Sequence, residues 1–166
     1  DFEFFAIRDS AINAFALPGG FVGVHTGLLL AAETEPELAS VLAHEISHVT
    51  QRHIARLIGA QQKLTIPTMA AMVLAILAAR SRPDLSQGAI MASQAGAVQA
   101  QINYTRDFER EADRIGFGLL SSAGFDVSAM PVFFERLQRA TRVFDDGTPS
   151  YLRTHPVTSE PVAEAQ

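Results

Sequence analysis

The stretch Ala43–Arg52, AHEISHVTQR, constrains this chain more than any other part of it. It contains His44 and His48 four residues apart, with Glu45 directly after the first histidine, in an HExxH pattern. On a helix, residues four apart lie about 40° apart around the axis, so both imidazoles point the same way. Two nitrogen ligands at this spacing can hold one Zn²⁺, and Glu45 is near enough to serve as a general base toward water.

The residues around the motif predict the helix that it requires. Thr34 and Glu37 have the spacing of a capping box, and Pro36 lies in the first turn, where its missing N–H is not needed. Apolar residues then recur at helical spacing until Gly59. The alternative is a coincidental HExxH with hydrogen-bonded histidines, and these helix signals argue against it.

Two histidines need a further ligand, and the sequence offers candidates in two places. His53 is the nearest, but on a continuous helix it lies about 140° round from His48 and points away. The segment FEREADRIG carries Glu109 and Asp113 four residues apart on a second predicted helix, with Glu111 as a rival to Glu109. One carboxylate could bind the metal while an acidic neighbour one turn later holds a ligating imidazole. By itself, such a pair is usually a solvated helix face.

The chain resembles the minigluzincin family of HExxH zinc metallopeptidases in four stretches that occur in matching order: INAFALPGGFVGVHTGLL, ELASVLAHEISHVTQRH, FEREADRIGF and RTHP. That family includes the CAAX prenyl endopeptidases, HtpX and BepA, and the likeness is closest to the BepA-like periplasmic members. It extends over nearly the whole chain. The resemblance implies that His44, His48 and Glu109 bind one Zn²⁺ per chain and that Glu45 is the base. It also implies that Asp113 holds one of the metal ligands in place without binding the ion itself.

The last of these stretches contains His155, which would attract no attention by itself because loop histidines rarely have a special role. Family members carry a matching THP motif beside the zinc. The resemblance therefore implies either a fourth ligand that blocks the water position or a hydrogen-bond donor to the oxyanion of the tetrahedral intermediate. Arg153 is a second candidate for the donor, and the sequence does not separate these alternatives.

Three short segments rich in β-branched and aromatic residues, at 2–7, 12–17 and 21–25, precede the motif. We expect them to form a small antiparallel β-sheet. With the helices, this predicts an α+β fold, a mainly helical zincin-like domain of the gluzincin type. The resemblance further implies that residues 13–16 lie at the edge of the cleft and pair with the backbone of a substrate.

An uncharged run of sixteen residues, Leu64–Ala79, has three candidate roles. It is shorter than the about 20 residues of a membrane span, so it could be a buried core helix, a lid over the active site or a membrane-surface anchor. After it we expect a linker at 80–87 with a turn at Pro83 and Asp84, a helix at 88–101, and a helix at 103–121 for which Gly124 is the C-terminal stop. A further helix should begin after Ser128, which is a suitable cap, and a loop should follow at 145–147.

Composition limits the classes of function. The 166 residues are 48% hydrophobic, which is enough for a single domain with a real core over residues 1–166. The net charge of −5 and the lack of a basic tract give no indication of nucleic-acid binding. The absence of cysteine excludes disulfides, thiolate-bound zinc and a cysteine nucleophile.

We therefore expect a zinc metalloendopeptidase that hydrolyses polypeptides. The resemblance implies a periplasmic or envelope-associated protein that acts on unfolded or misassembled envelope proteins, with possible contacts to the outer-membrane assembly machinery and the membrane surface. The chain starts at Asp1 without a visible signal peptide. We expect it to be a piece of a longer protein with a helical repeat domain after Gln166. The alternative is an autoinhibited or non-catalytic chaperone module with a closed metal site.

Overall fold

The structure is a computed structural model that describes residues 1–78, 83–143, 151, 152 and 155. Within these residues the chain forms, in order, β1 (Glu3–Ile7), β2 (Ala14–Leu17), β3 (Phe21–His25), α1 (Thr26–Ala31), α2 (Glu35–Thr50), α3 (His53–Ala78), α4 (Pro83–Ser122) and α5 (Ala129–Val143). This is the mainly helical α+β architecture that the sequence predicts. The chain divides into two compact units, a first that comprises residues 1–54 and 108–166 and a second that comprises residues 55–107.

The sheet of the first unit is mixed, whereas the sequence predicted an antiparallel one. β2 and β3 form an antiparallel hairpin, and β1 pairs in parallel with the other side of β3, from Glu3 opposite Phe21 to Ile7 opposite His25. The strand order β1-β3-β2 explains the difference. Two chain reversals give β1 and β3 the same direction, and β3 lies between the other two strands. Among the described residues β2 is therefore an edge strand.

The helix α2 begins close to where the sequence predicted. Thr34 is its N-cap residue and Pro36 lies in its first turn, but the Thr34 side chain makes no capping hydrogen bond. The half of the predicted capping box that the Thr34 hydroxyl would form is therefore absent, whereas the Glu37 carboxylate does interact with the backbone N–H of Thr34. Glu37 also accepts a hydrogen bond from the Glu33 N–H at 2.7 Å and one from the Arg136 guanidinium at 2.8 Å. Because Arg136 lies on α5, this pair ties the start of α2 to the last described helix.

The predicted continuous helix to Gly59 is interrupted. α2 ends at Thr50, and α3 begins at His53. Between them, Arg52 has a φ of 54°, which is the left-handed region that interrupts a helix. His53 therefore does not continue the helical spacing of the HExxH residues.

The core of the first unit lies between the sheet, α2 and α5. Its main cluster consists of Ala14, Val24, Leu28, Val41, Phe133, Leu137, Tyr151 and Leu152. A smaller cluster of Ala43, Leu120 and Met130 joins α2 to α4 and α5. Each large apolar side chain buried in this way contributes about 1.5–3 kcal/mol to stability. The core thus holds the HExxH helix from several sides.

The second unit contains most of α3 and the first part of α4. In the run Leu64–Ala79, Ile66 is 76% exposed and Leu74 is 66% exposed, while Ala75 is buried. The interpretation of this run as a buried core helix is therefore wrong. None of the helices, as far as they are described, is long and apolar enough to cross a membrane.

Some of the expected features fall outside the described residues. These are residues 79–82 of the expected linker, the loop expected at 145–147, and Arg153. Pro83 and Asp84, which were expected in a turn, instead begin α4. The two helices predicted at 88–101 and 103–121 are parts of this one helix. It stops where predicted, since Gly124 has a φ of 80° just beyond its end.

Candidate metal centre

The HExxH residues form a buried group on one side of α2. His44 is 2% exposed and Glu45 is 1% exposed. The Nε2 atoms of His44 and His48 are 2.9 Å apart, so both imidazoles point to the same spot. This is the convergence that their spacing predicts.

A carboxylate from α4 reaches the same spot. Glu109 Oε2 lies 3.3 Å from His44 Nε2, and Glu109 Oε1 lies 3.6 Å from His48 Nε2. One turn further along α4, Asp113 Oδ1 lies 3.0 Å from His44 Nδ1, on the far side of that ring. The rival Glu111 does not join this group and contacts His53 instead.

Gly116 allows α4 to approach α2 this closely. A Cβ atom at Gly116 would lie 3.1 Å from the His44 backbone nitrogen and 3.2 Å from the Ala43 carbonyl carbon. These distances are shorter than ordinary van der Waals contacts. The absence of a side chain at this one position therefore brings Glu109 and Asp113 within reach of His44.

His155 lies in the same group. Its backbone N–H donates to the Tyr151 carbonyl at 2.8 Å, which holds the residue against the core. Its Nδ1 atom lies 3.1 Å from Glu109 Oε2 and 3.3 Å from His44 Nε2. Its Nε2 atom lies 3.4 Å from Glu45 Oε1. Together with the contacts above, the structure thus brings His155 into one group with His44, Glu45, His48, Glu109 and Asp113, all of which the sequence analysis named.

The donor set fits a metal ion. His44, His48, Glu109 and His155 each offer one ligand atom, and these atoms all lie within 4.8 Å of one another. Three imidazole nitrogens and one carboxylate oxygen are ligands that zinc and similar divalent ions accept. The residues present therefore suit the ion that the sequence implies.

The electrostatics of the group also suit a cation. Burial disfavours ionised Glu109, but hydrogen bonds with His155 and His44 outweigh it and lower the pKa of Glu109 to about 2. Burial and the charge of His44 lower the pKa of His48 to about 3. Burial would also lower the pKa of His44, yet its hydrogen bonds to Asp113 and Glu109 raise it to about 10. An ion that binds all four groups takes the place of the proton on Nε2 of His44, while Nδ1 keeps its contact with Asp113.

Comparison with known proteins identifies the family of this chain. The family model described as peptidase family M48 matches residues 1–166. The chain belongs to peptidase family M48. This confirms the resemblance on which the sequence analysis relied, and the members of this metallopeptidase family depend on a metal ion.

Two relatives of this M48 chain are named beta-barrel assembly-enhancing protease. The relative from Vibrio cholerae is 48% identical over 165 residues, and the one from Escherichia coli is 42% identical over 165 residues. These alignments cover 99% of this chain and 34% of each relative. The mitochondrial metalloendopeptidase OMA1 of Arabidopsis thaliana is 32% identical over 154 residues, which cover 93% of this chain and 29% of that relative. The chain spans about a third of the length of the curated relatives it matches.

The sequence analysis missed two residues that contact this cluster in the M48 chain. His53 was expected to point away, but its Nδ1 atom lies 2.9 Å from His48 Nδ1, because the chain turns at Arg52 before α3 begins. Tyr151 is fully buried, and its ring lies 4.8 Å from that of His155, centroid to centroid. Burial and the nearby carboxylate of Glu45 raise its pKa. The sequence indicates the role of Tyr151 only through its position four residues before His155.

Proposed function

We propose that this chain is the catalytic part of a zinc endopeptidase, a single metallopeptidase domain over residues 1–166. One observation carries the proposal: four potential ligand atoms converge within 4.8 Å beside the buried carboxylate of Glu45 in an M48 chain. His44, His48 and Glu109 would hold the ion, and Asp113 would orient His44 through its Nδ1 atom. When bound, zinc lowers the pKa of water and polarises a peptide carbonyl.

Glu45 is the general base of the proposed reaction. It accepts a proton from the attacking water and delivers that proton to the leaving amine. Burial raises the pKa of Glu45, although the charges of His155 and His44 partly offset this effect. A carboxylate with a raised pKa accepts and releases a proton more evenly near neutral pH, which supports this role.

The edge strand β2 is the proposed binding site for the substrate backbone. Ala14–Leu17 pair with β3 on one side, and the other side has no strand partner among the described residues. An extended peptide can add to such an edge through main-chain hydrogen bonds, which require no particular side chains. This mode suits unfolded polypeptides of varied sequence.

The contacts of His155 support a second candidate, in which the metal site is kept closed. Its imidazole lies within hydrogen-bonding distance of Glu109 and close to Glu45, so it could occupy the fourth position and exclude water. The chain would then be autoinhibited or serve as a binding or chaperone module. The opposite role, donation to the oxyanion, uses the same position.

We further propose a periplasmic or envelope location and substrates among unfolded or misassembled envelope proteins. The names of the assembly-enhancing relatives support this, as does their link in name to beta-barrel assembly. Exposed apolar residues on α3, including Ile66 and Leu74, support a peripheral contact with a membrane surface. Outer-membrane assembly machinery is the proposed partner.

Metal analysis combined with a protease assay tests the proposed function. Purified protein should contain about one zinc ion per chain and should hydrolyse casein, an unfolded polypeptide. A chelator should abolish hydrolysis, and added Zn²⁺ should restore it. Protein without stoichiometric metal, or hydrolysis that the chelator does not affect, would overturn the proposal. Stoichiometric zinc without hydrolysis would favour the closed binding module.

A further inference from the structure

We propose that His53, held by Glu111 and Phe108, is a positioning residue that sets the tautomer and orientation of His48. This inference rests on the metal site proposed above. It concerns side chains whose contacts the assigned reaction does not require.

Three side chains form a continuous hydrogen-bonded series behind His48. The Nδ1 atoms of His48 and His53 are 2.9 Å apart, and His53 Nε2 lies 3.3 Å from Glu111 Oε2. The two imidazole rings meet edge to face, with centroids 4.8 Å apart and planes at 81°. A carboxylate is thus connected to the metal-facing imidazole through a second imidazole.

The proton positions in this series follow from the bonding capacity of each group. An ionised carboxylate only accepts hydrogen bonds, so His53 must donate to Glu111 from Nε2. Neutral His53 then has an acceptor at Nδ1, and His48 must donate to it from its own Nδ1. The proton of His48 is therefore on Nδ1, and the lone pair of its Nε2 faces Glu109 and His44.

The reverse arrangement fails at both ends. If His53 donated from Nδ1, neutral His53 would present an unprotonated Nε2 to the carboxylate of Glu111. His48 would then carry its proton on Nε2 and have no lone pair there for an ion. The contact to Glu111 therefore selects the tautomer of His48 that can bind a metal.

Packing holds the His53 ring in place for this role. His53 is 3% exposed, and its ring stacks on Phe108 with centroids 4.6 Å apart and planes at 15°. The turn at Arg52, with its φ of 54°, directs the chain back toward His48. Burial also excludes the water that would otherwise compete for the ring nitrogens.

His44 and His48 are thus held in different ways by carboxylates outside the metal site. His44 contacts the carboxylate of Asp113 directly, at 3.0 Å, whereas His48 reaches that of Glu111 only through His53. Partners of this kind orient a ligand and change metal affinity when they are removed. Replacement of His53 should therefore weaken metal binding even though His53 does not contact the ion.

Zinc affinity, measured by competition with a chromophoric chelator, tests the proposal. His53→Leu should weaken zinc binding about 10- to 100-fold, and His53→Asn, which retains an acceptor near the position of Nδ1, should recover most of the loss. The same leucine replacement at His25, outside the cluster, should leave zinc affinity unchanged. Wild-type affinity in His53→Leu would overturn the proposal.

A second measurement does not depend on any variant. ¹⁵N NMR of the histidine rings in the wild-type protein should show the proton of His48 on Nδ1, and a proton on Nε2 would overturn the proposal. The outcomes also separate the two proposals. Wild-type protein that fails to bind zinc overturns the metal centre and the role of His53 together. Normal zinc binding in both wild type and His53→Leu overturns only the positioning role.

Discussion

The Nδ1 atom of His44 lies 3.0 Å from Asp113 Oδ1, although the two residues are 69 positions apart in the chain. This contact directs Nε2 of His44 toward Glu109 and so joins α2 to α4 at the candidate metal centre. Asp113→Ala should weaken zinc binding about 10- to 100-fold and leave the fold intact. The zinc dissociation constant and the circular dichroism spectrum check this, with exposed Asp107→Ala on the same helix as control. An unchanged dissociation constant would mean that Asp113 is only a surface charge.

Glu45 is buried beside the cluster but is not one of its four potential ligands. We therefore expect Glu45→Gln to retain its zinc and to lose about 10²- to 10⁴-fold in the rate of casein hydrolysis, because only the proposed base is removed. Zinc content and hydrolysis should be measured on the same preparation. Retained hydrolysis with retained metal would assign the base to another residue.

Gly116 and Gly118 are a matched pair on α4. A Cβ at Gly116 would lie 3.1 Å from the His44 backbone nitrogen, while one at Gly118 would meet nothing within 4 Å. Gly116→Ala should push α4 away from α2, weaken zinc binding and lower the thermal midpoint relative to Gly118→Ala. Gly118→Ala should stabilise the protein by up to about 1 kcal/mol through helix propensity. Equal zinc affinities and midpoints would show that the close approach at Gly116 is unimportant.

The histidine pair and the two acidic residues on α4 could be predicted because each follows from spacing within one helix. His44 and His48 are one turn apart, as are Glu109 and Asp113, and a regular helix suffices to align each pair. The choice of Glu109 over Glu111, and the inclusion of His155, came from the resemblance. The structure brings both of them to the cluster.

The position of His53 could not be predicted in the same way. It depends on the end of α2 at Thr50 and on the left-handed backbone of Arg52, a conformation that an arginine adopts only when the surrounding packing favours it. The parallel pairing of β1 with β3 is a similar case. Strand order is decided by contacts between distant segments, which the alternation of residues within one strand does not report.

Glu37 is 4% exposed and accepts hydrogen bonds from Arg136. Burial alone would raise the pKa of Glu37, but these bonds and the charge of Arg136 lower it overall. Because the folded-state pKa is lowered, the pair stabilises the protein above the unfolded pKa, and this stability is lost as the pH falls through the folded pKa. Glu37→Gln should lower the free energy of unfolding at pH 7 by about 1.5–3 kcal/mol.

The difference in the free energy of unfolding between wild type and Glu37→Gln should shrink as the pH falls below about 4, which is close to the pKa of a free glutamate. Urea unfolding at several pH values measures it. The exposed pair of Glu135 and Arg139 provides the control, and Glu135→Gln should change the free energy of unfolding by less than about 1 kcal/mol. If the loss in the free energy of unfolding caused by Glu37→Gln did not depend on pH, the lowered pKa of Glu37 would not be the source of the stabilisation.

His155 decides between an open and a closed centre. Its Nδ1 atom lies 3.1 Å from Glu109 Oε2, and its Nε2 atom lies 3.4 Å from Glu45 Oε1, so the ring stands between the base and a ligand. A fourth nitrogen ligand would take the position of the attacking water and stop hydrolysis. If His155 closes the site, His155→Ala should hydrolyse casein faster than wild type and keep its zinc, because His44, His48 and Glu109 remain. If His155 instead stabilises the oxyanion, the same variant should lose about 10²-fold or more in rate. The two roles predict opposite changes, so the direction of the change in rate, measured at equal zinc content, identifies which role His155 has.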